Sequence, residues 1–353
     1  MSEKIYVNTA SCGLLSKESI AAATAFLETM QTNASKAAET IRDEVIERIR
    51  SKVASFLDAP VQQLAFLPNF SWGLNAIVQS LKGNEKVLLY NNDYPSLTAP
   101  FKINGFDITW IEDKDGFGIE SEQLKQMLIE NKIDLLVISH VQWLSGFKLD
   151  IDDIGAFCKE HDILFVLDAT QSLGAAPIHI SKQHIDVLIC SNYKWMNAGF
   201  GTGILYVSES FMNKYPPVVG GGNSYKIEHE VSNYVASVKN FEPGHINLHG
   251  LLVLEKAVDY KLERGIASIA AHNHQLLQAL ISGLDKSLIL GAPDLHYRSS
   301  ILVLKDPGNL FEYLTNHGVV TIKRGNNIRI GVHFYNTAEE IQQLIKLIAA
   351  GIA

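Results

Sequence analysis

The sequence predicts an α/β protein: a mainly parallel sheet with helices on both faces, followed by a smaller C-terminal α+β domain. Three observations carry this. Between Gln63 and Val207, short apolar β-rich runs alternate with helical runs. The strand-like runs are apolar along their length, as in Leu135-Leu-Val-Ile and Leu164-Phe-Val-Leu, which suits strands buried on both sides. After Tyr215 the rhythm changes, with Pro216-Pro217 and Gly220-Gly221-Gly222 interrupting it. Parallel strands need helical crossovers, so strict alternation means a sheet covered on each face.

In chain order, amphipathic helices are expected at about Lys17–Thr32 and Ser35–Phe56, from apolar residues at helical spacing with charges between them. Strand Leu64–Leu67 leads into a helix at about Ser71–Leu81. Strands Lys86–Tyr90 and Phe106–Ile111 follow, then a helix at Glu120–Glu130 and strand Asp134–Ser139. A helix at Ile151–Glu160 precedes strands Ile163–Asp168, Val187–Cys190 and Gly203–Val207. Beyond the break come a long helix at about His249–Arg264, strands near Ser300–Leu304 and Ile328–Gly331, and a closing helix from about Thr337. The expected division is an N-terminal segment over 1–15, a large domain over 16–245 and a small domain over 246–353.

At 353 residues the chain is long enough for two compact domains of roughly 100–200 residues. The 47% apolar and 19% charged content excludes a disordered or fibrous chain. A formal charge of −8 without a long basic run argues against nucleic acid as partner. Cys12, Cys158 and Cys190 are far apart and form no CxxC pair, so no disulfide framework or zinc site is indicated, and a cytoplasmic setting is expected. No window is apolar enough for a membrane span. No metal site is expected.

In an open α/β sheet, ligands bind beyond the carboxyl ends of the strands. Asp168 ends one apolar run, Ser139-His140 another, and Ser191-Asn-Tyr-Lys194 a third. On spacing alone an acid in such a place reads first as a turn residue or helix cap, and a lysine as a solvated side chain. Trp195, Met196 and the glycine-rich Ala198–Gly203 after Lys194 weaken the second reading, since a lysine in apolar surroundings loses its proton more readily and becomes a nucleophile. The turn Leu67-Pro-Asn-Phe-Ser71 enters a helix and offers free N–H groups to a phosphate, although any strand-to-helix turn does so in part.

The ordered combination is more specific. Asp168-Ala-Thr-Gln171, then Ser191-Asn-Tyr-Lys194, then a glycine-rich turn into Gly203-Ile-Leu-Tyr-Val resembles the class V aminotransferase family, the fold-type I pyridoxal phosphate (PLP) enzymes that include cysteine desulfurases. Asn69-Phe-Ser-Trp-Gly-Leu-Asn75, Asn91-Asn-Asp-Tyr-Pro-Ser96, Ser139-His-Val141, Phe241–Asn247 and Ile328–Thr337 extend the match over essentially the whole chain.

The resemblance implies a large domain with a mainly parallel seven-stranded sheet, PLP as cofactor, an amino acid substrate and a homodimer. It implies that Lys194 forms the Schiff base and that Asp168 pairs with the pyridinium nitrogen. Gln171 would reach the phenolic oxygen and Tyr94 would stack on the ring. Phe70, Ser71, Ser191 and Tyr193 would hold the phosphate, with His245 reaching the phosphate of the neighbouring subunit. Arg329 would clamp the substrate carboxylate. Three departures stand out. Trp143 takes the place of a frequent asparagine, His245 that of a frequent threonine, and His317–Arg329 contains no cysteine where desulfurases carry their persulfide-forming one.

The expected function is therefore a PLP-dependent aminotransferase, with racemase, epimerase or lyase chemistry, including a desulfurase using Cys12, as alternatives. A nicotinamide oxidoreductase, a serine hydrolase and a zinc protease lack GxGxxG, GxSxG and HExxH here. A binding-only descendant of the fold would have no chemical need for Lys194, Asp168 and Arg329 together.

Overall fold

The computed structural model describes residues 4–113, 115–228, 231–291 and 295–352. The chain enters through a short strand β1 (Ile5–Tyr6) and the long helix α1 (Lys17–Thr40). Asn33, at φ −150° and ψ 68°, kinks α1 where the sequence separates two helices. A π-helical turn over Ile41–Val45 then leads into α2 (Ile46–Leu57).

Next come β2 (Leu64–Leu67), α3 (Phe70–Ser80), β3 (Lys86–Tyr90), α4 (Pro95–Ile103), β4 (Asp107–Ile111), α5 (Ser121–Glu130) and β5 (Leu135–Ser139). They are followed by α6 (Ile151–Glu160), β6 (Leu164–Asp168), α7 (Ile180–Gln183), β7 (Val187–Ser191), β8 (Gly203–Val207) and α8 (Glu209–Lys214). Seven of these strands form one sheet in the order β2-β8-β7-β6-β5-β3-β4. All neighbouring pairs from β7 to β4 are parallel, while β8 runs antiparallel to both β7 and β2. The physical reason is local: the glycine-rich loop from β7 to β8 holds no crossover helix, so the chain turns straight back.

Alternate residues of the strands feed two cores. Leu88, Leu136, Ile138, Phe165, Leu167 and Leu188 pack on one side with α1, α2, α6 and the later helix over 248–264. Val87, Leu89, Leu135, Val137, Val166 and Ile189 pack on the other against Leu74 and Ile77 of α3 and Leu97 and Phe101 of α4. This period of two explains why the runs are apolar throughout.

After a hairpin of β9 (Tyr225–Glu228) and β10 (Val231–Tyr234), α9 (Leu248–Arg264) lies along α1 and α2. Then follow α10 (Ile266–Ser282), β11 (Ile301–Lys305), α11 (Leu310–Asn316), β12 (Val319–Val320), β13 (Ile322–Arg324), β14 (Asn327–Gly331) and α12 (Ala338–Ile352). Strands β11, β14 and β13 form an antiparallel sheet whose apolar face meets α10, α11 and α12. The N-terminal strand joins this C-terminal layer: β1 pairs parallel with β12, and Ile5 and Val7 enter its core. Helices α4, α7, α8, α10 and α11 are additions to the expected helices. Among the described residues no helix is long and apolar enough to cross a membrane.

Candidate active site

The carboxyl ends of β5, β6 and β7 and the start of α3 converge on a cavity of about 430 Å³. Ser139 and Asp168, paired in register at the ends of β5 and β6, both line it. Phe70, Ser71, Tyr94, Trp143, Gln171, Ser191, Tyr193 and Lys194 also line it, so eight of the ten residues given a catalytic, cofactor or substrate role from the sequence meet in one place.

Lys194 is 8% exposed, its ammonium 5.6 Å from the Tyr94 ring centre and 5.5 Å from that of Tyr193. Among the described residues no carboxylate lies within ion-pair distance of it. Burial lowers its pKa to about 8, against the opposing attraction of Asp168. Burial raises Asp168 to about 6, while Thr170 donates its N–H to Asp168 Oδ1 at 2.8 Å. The two groups are thus poised close to neutrality in opposite senses.

One corner is built for an anion. Asn69 caps α3, its Oδ1 accepting the Trp72 N–H at 2.9 Å. The Phe70 N–H goes to Ser191 Oγ and the Gly73 N–H to Asn69 O. This leaves the Ser71 N–H as the first-turn donor without a protein acceptor among the described residues. The Ser71 and Ser191 hydroxyls flank it on the cavity wall.

Behind Tyr94 and Ser139 of the wall lies Asp93, which is 5% exposed. Its carboxylate accepts the Ser139 N–H at 2.9 Å, the Ser139 hydroxyl at 2.6 Å, the Tyr94 N–H at 2.7 Å and Gln142 Nε2 at 3.3 Å. This fixes the loop that carries Tyr94 to the end of β5. The Trp143 ring meets Tyr94 edge-on at 5.4 Å. Gln171 is engaged at both ends, donating to Ala10 O at 3.0 Å and accepting from Trp195 Nε1 at 2.8 Å, which leaves one amide N–H for a ligand.

Arg329 lies just beyond the cavity, 2% exposed, with Nη1 donating to Trp143 O at 2.6 Å and Nη2 to Ser11 Oγ at 2.8 Å. His140 is buried and held neutral, its pKa lowered by burial to about 3, and faces a separate cleft. His245 is exposed and lines another cleft with Arg42, Lys239 and Glu242, so within one chain it does not meet Lys194.

Behind Lys194 the chain is braced. Asn197 adopts the left-handed conformation at φ 58°. Lys261 Nζ donates to Met196 O and Asn197 Oδ1, both at 3.1 Å. His333 Nε2 lies 3.0 Å from both Trp195 O and Asn197 Oδ1. From the front, Gly13 donates its N–H to Tyr193 O at 2.8 Å; a Cβ there would fall 2.0 Å from Lys194 O. The segment bearing Cys12 is thereby pressed against the lysine turn, and partial burial raises the Cys12 thiol pKa.

Residues 5–303 match the model of the aminotransferase class-V family. The chain belongs to that family. A probable cysteine desulfurase of Pyrococcus abyssi is 24% identical over 327 residues, covering 85% of this chain and 81% of that protein. A cysteine desulfurase of Escherichia coli is 23% identical over 337 residues, covering 86% and 81%. Among solved structures, an apo cysteine desulfurase from Thermococcus onnurineus superposes with a TM-score of 0.87 at 21% identity, covering 98% of this chain and 94% of that one. A C-DES mutant with glycine covalently linked to its PLP cofactor gives 0.89 at 20% identity, covering 99% and 97%. These likenesses show the fold.

Several residues of this class-V aminotransferase fold receive no role from the sequence, although Asp93 and His333 fall inside stretches that match the family. Asp93 reads as a turn residue, and its role emerges only when Ser139 and Gln142 are brought to it. Lys261 and His333 lie in ordinary helical and strand-end contexts far from Lys194. Arg324 belongs with them: its guanidinium carbon lies 5.9 Å from the Trp143 ring centre.

Proposed function

We propose that this chain is a PLP-dependent enzyme acting at the α-carbon of an amino acid, as an aminotransferase. The observation that carries the reading is Lys194: a buried amine with its pKa near 8, set between two aromatic rings and facing a cavity that also holds Asp168 and an anion corner. The donor set fits the cofactor. Ser71, Ser191 and the start of α3 suit a phosphate, Asp168 suits a protonated ring nitrogen, and Tyr94 offers a ring face.

When bound, PLP supplies an electrophilic carbonyl and an electron-withdrawing ring. The remaining work belongs to the chain. Lys194 Nζ, neutral in an appreciable fraction near pH 8, acts as nucleophile and then carries a proton to and from the substrate α-carbon. Asp168, ionised above its pKa of about 6, accepts a charge-assisted hydrogen bond and is held in its charged form by a cation beside it. Arg329 orients the substrate by its carboxylate, and Trp143 and Tyr94 exclude water from one side. His245 is assigned to the partner's phosphate in a homodimer, consistent with its position away from its own Lys194.

The hairpin β13–β14 favours transamination over desulfuration: it is compact and contributes no cysteine. Cys158 and Cys190 are buried, with thiols made harder to ionise by burial. The second reading, a desulfurase or C–S lyase, draws support from the names of the relatives and from Cys12 beside the lysine turn. The test is to load the protein with PLP, screen amino acids, and separate products. Accumulation of the pyridoxamine form with an oxo acid supports the aminotransferase. Sulfide or persulfide from cysteine or cystine without pyridoxamine supports the second reading.

A further inference from the structure

We propose that Arg324 and Arg329, which both meet Trp143, form a double carboxylate site, so that the substrate is an amino acid with a second carboxylate. This rests on the reading above of Arg329 as the partner of the α-carboxylate and extends it to the side chain.

The geometry is that of an antiparallel hairpin. In β13–β14, Arg324 pairs with Asn327 and Ile322 with Arg329. Directly opposed residues share a face, and residues 327 and 329 share one by the period of two, so both arginines project from the same side. They meet the same residue: Arg329 Nη1 donates to the Trp143 carbonyl, and the Arg324 guanidinium lies against the Trp143 ring. Trp143 itself lines the cavity with Lys194.

The charges are unbalanced. Among the described residues no carboxylate lies within 4.0 Å of either guanidinium, and the Nε atoms of both are buried without a hydrogen-bond partner. Burial, followed by repulsion from Arg324, lowers Arg329 to about 10. Both arginines also oppose protonation of Lys194. A buried cation without a counter-charge is costly, and a guanidinium with an idle edge N–H is shaped for a carboxylate oxygen. One carboxylate neutralises one arginine and leaves the other. Two neutralise both.

Glutarate and butyrate test this without the amino-group chemistry, because they differ only by the second carboxylate. Binding is read by thermal shift and calorimetry on the protein as purified and after PLP loading. Wild type is expected to bind glutarate at least about tenfold more tightly than butyrate, the equivalent of one retained charge-assisted contact. Arg324→Met should collapse that ratio towards unity, and Arg324→Lys, which keeps a point charge, should restore part of it. Equal affinity for the two acids, binding of neither, or a ratio unchanged in Arg324→Met overturns the proposal. Should Arg324→Met fail to fold, the wild-type ratio and Arg324→Lys still decide. In the loaded enzyme, aspartate, glutamate and cystine should perturb the cofactor absorbance at lower concentration than alanine. A diacid preference without any PLP adduct would retain this site while removing the cofactor reading; an adduct without the preference would do the reverse.

Discussion

Ser191 Oγ accepts the Phe70 N–H at 2.8 Å, joining the last residue of β7 to the first turn of α3. A hydroxyl that accepts in this way keeps its own proton for a ligand, so one side chain both sets the position of the helix start and donates into the cavity. Ser191→Ala removes both contributions at once. PLP affinity should fall by roughly tenfold or more, in keeping with a lost contact to a charged group of about 1.5–3 kcal/mol, while Ser191→Thr should retain most of it. Fluorescence titration of the cofactor measures this.

Lys194 should be the residue that borohydride links to PLP, as peptide mass spectrometry will show. Its pKa of about 8 implies that the rate of PLP capture rises with pH through about 8, well below the ordinary 10.5 of lysine. Asp168 favours the charged lysine. Asp168→Asn should therefore move the midpoint of the capture profile lower, and it should also remove most turnover, because the amide cannot hold a proton on the ring nitrogen. A midpoint that rises in Asp168→Asn would contradict the electrostatic arrangement described for the pair.

Burial lowers Lys261 from the ordinary 10.5 to about 7. Between these values the unfolded chain carries more protons at this site than the folded one, so its contribution makes unfolding free energy increase as pH rises through that window. One proton gives a slope of at most about 1.4 kcal/mol per pH unit. Lys261→Met should be less pH-dependent than wild type between pH 7 and 10, which urea unfolding at several pH values will reveal. It should also loosen the turn after Lys194.

Arg50 and Glu242 form a buried pair, with Nη1 to Oε1 at 2.6 Å and Nη2 to Oε2 at 3.0 Å, and Glu242 Oε1 also accepts the Phe66 N–H at 2.6 Å. Arg50→Met leaves a buried carboxylate without its cation. The expected loss is about 3–5 kcal/mol. Chemical denaturation measures it, and replacing both partners by apolar residues should recover part.

A homodimer with shared sites predicts complementation. His245→Ala should retain PLP poorly and Lys194→Ala should be inactive, yet mixed subunits should regain activity if His245 serves the neighbouring site. A fully active monomer in sedimentation experiments would exclude this arrangement.

Strand ends were the most legible part of the site. Asp168, Ser191 and Lys194 follow uninterrupted apolar runs, and a parallel sheet delivers such residues to one edge. Elements that depend on distant partners were not legible. Pro95 and Pro100 disguise α4, although the first occupies the favoured first turn of the helix and the second is accommodated inside it. Only Gly265 separates α9 from α10, so the periodicity of one runs into the other. Asp93 takes donors from Ser139 and Gln142, Lys261 takes Asn197 as acceptor, and Arg324 meets Trp143 through the returning hairpin. Each is a tertiary relation that no local pattern announces.

The pairing of β1 with β12 also bears on the order of assembly. Ile5 and Val319 are partners, Gly331 donates its N–H to Val7 O, and Thr9 bonds Tyr335, so the first strand finds its place only against the last part of the chain. During synthesis the seven-stranded sheet can collapse while the first dozen residues are still unmatched. Because Gly13 closes over Tyr193 and Lys194, the turn bearing Lys194 is then completed late, after translation has delivered β12 and β14. A nascent chain stalled before Val319 should have a folded sheet and an open site, a stage at which a chaperone or the cofactor itself can still reach the lysine.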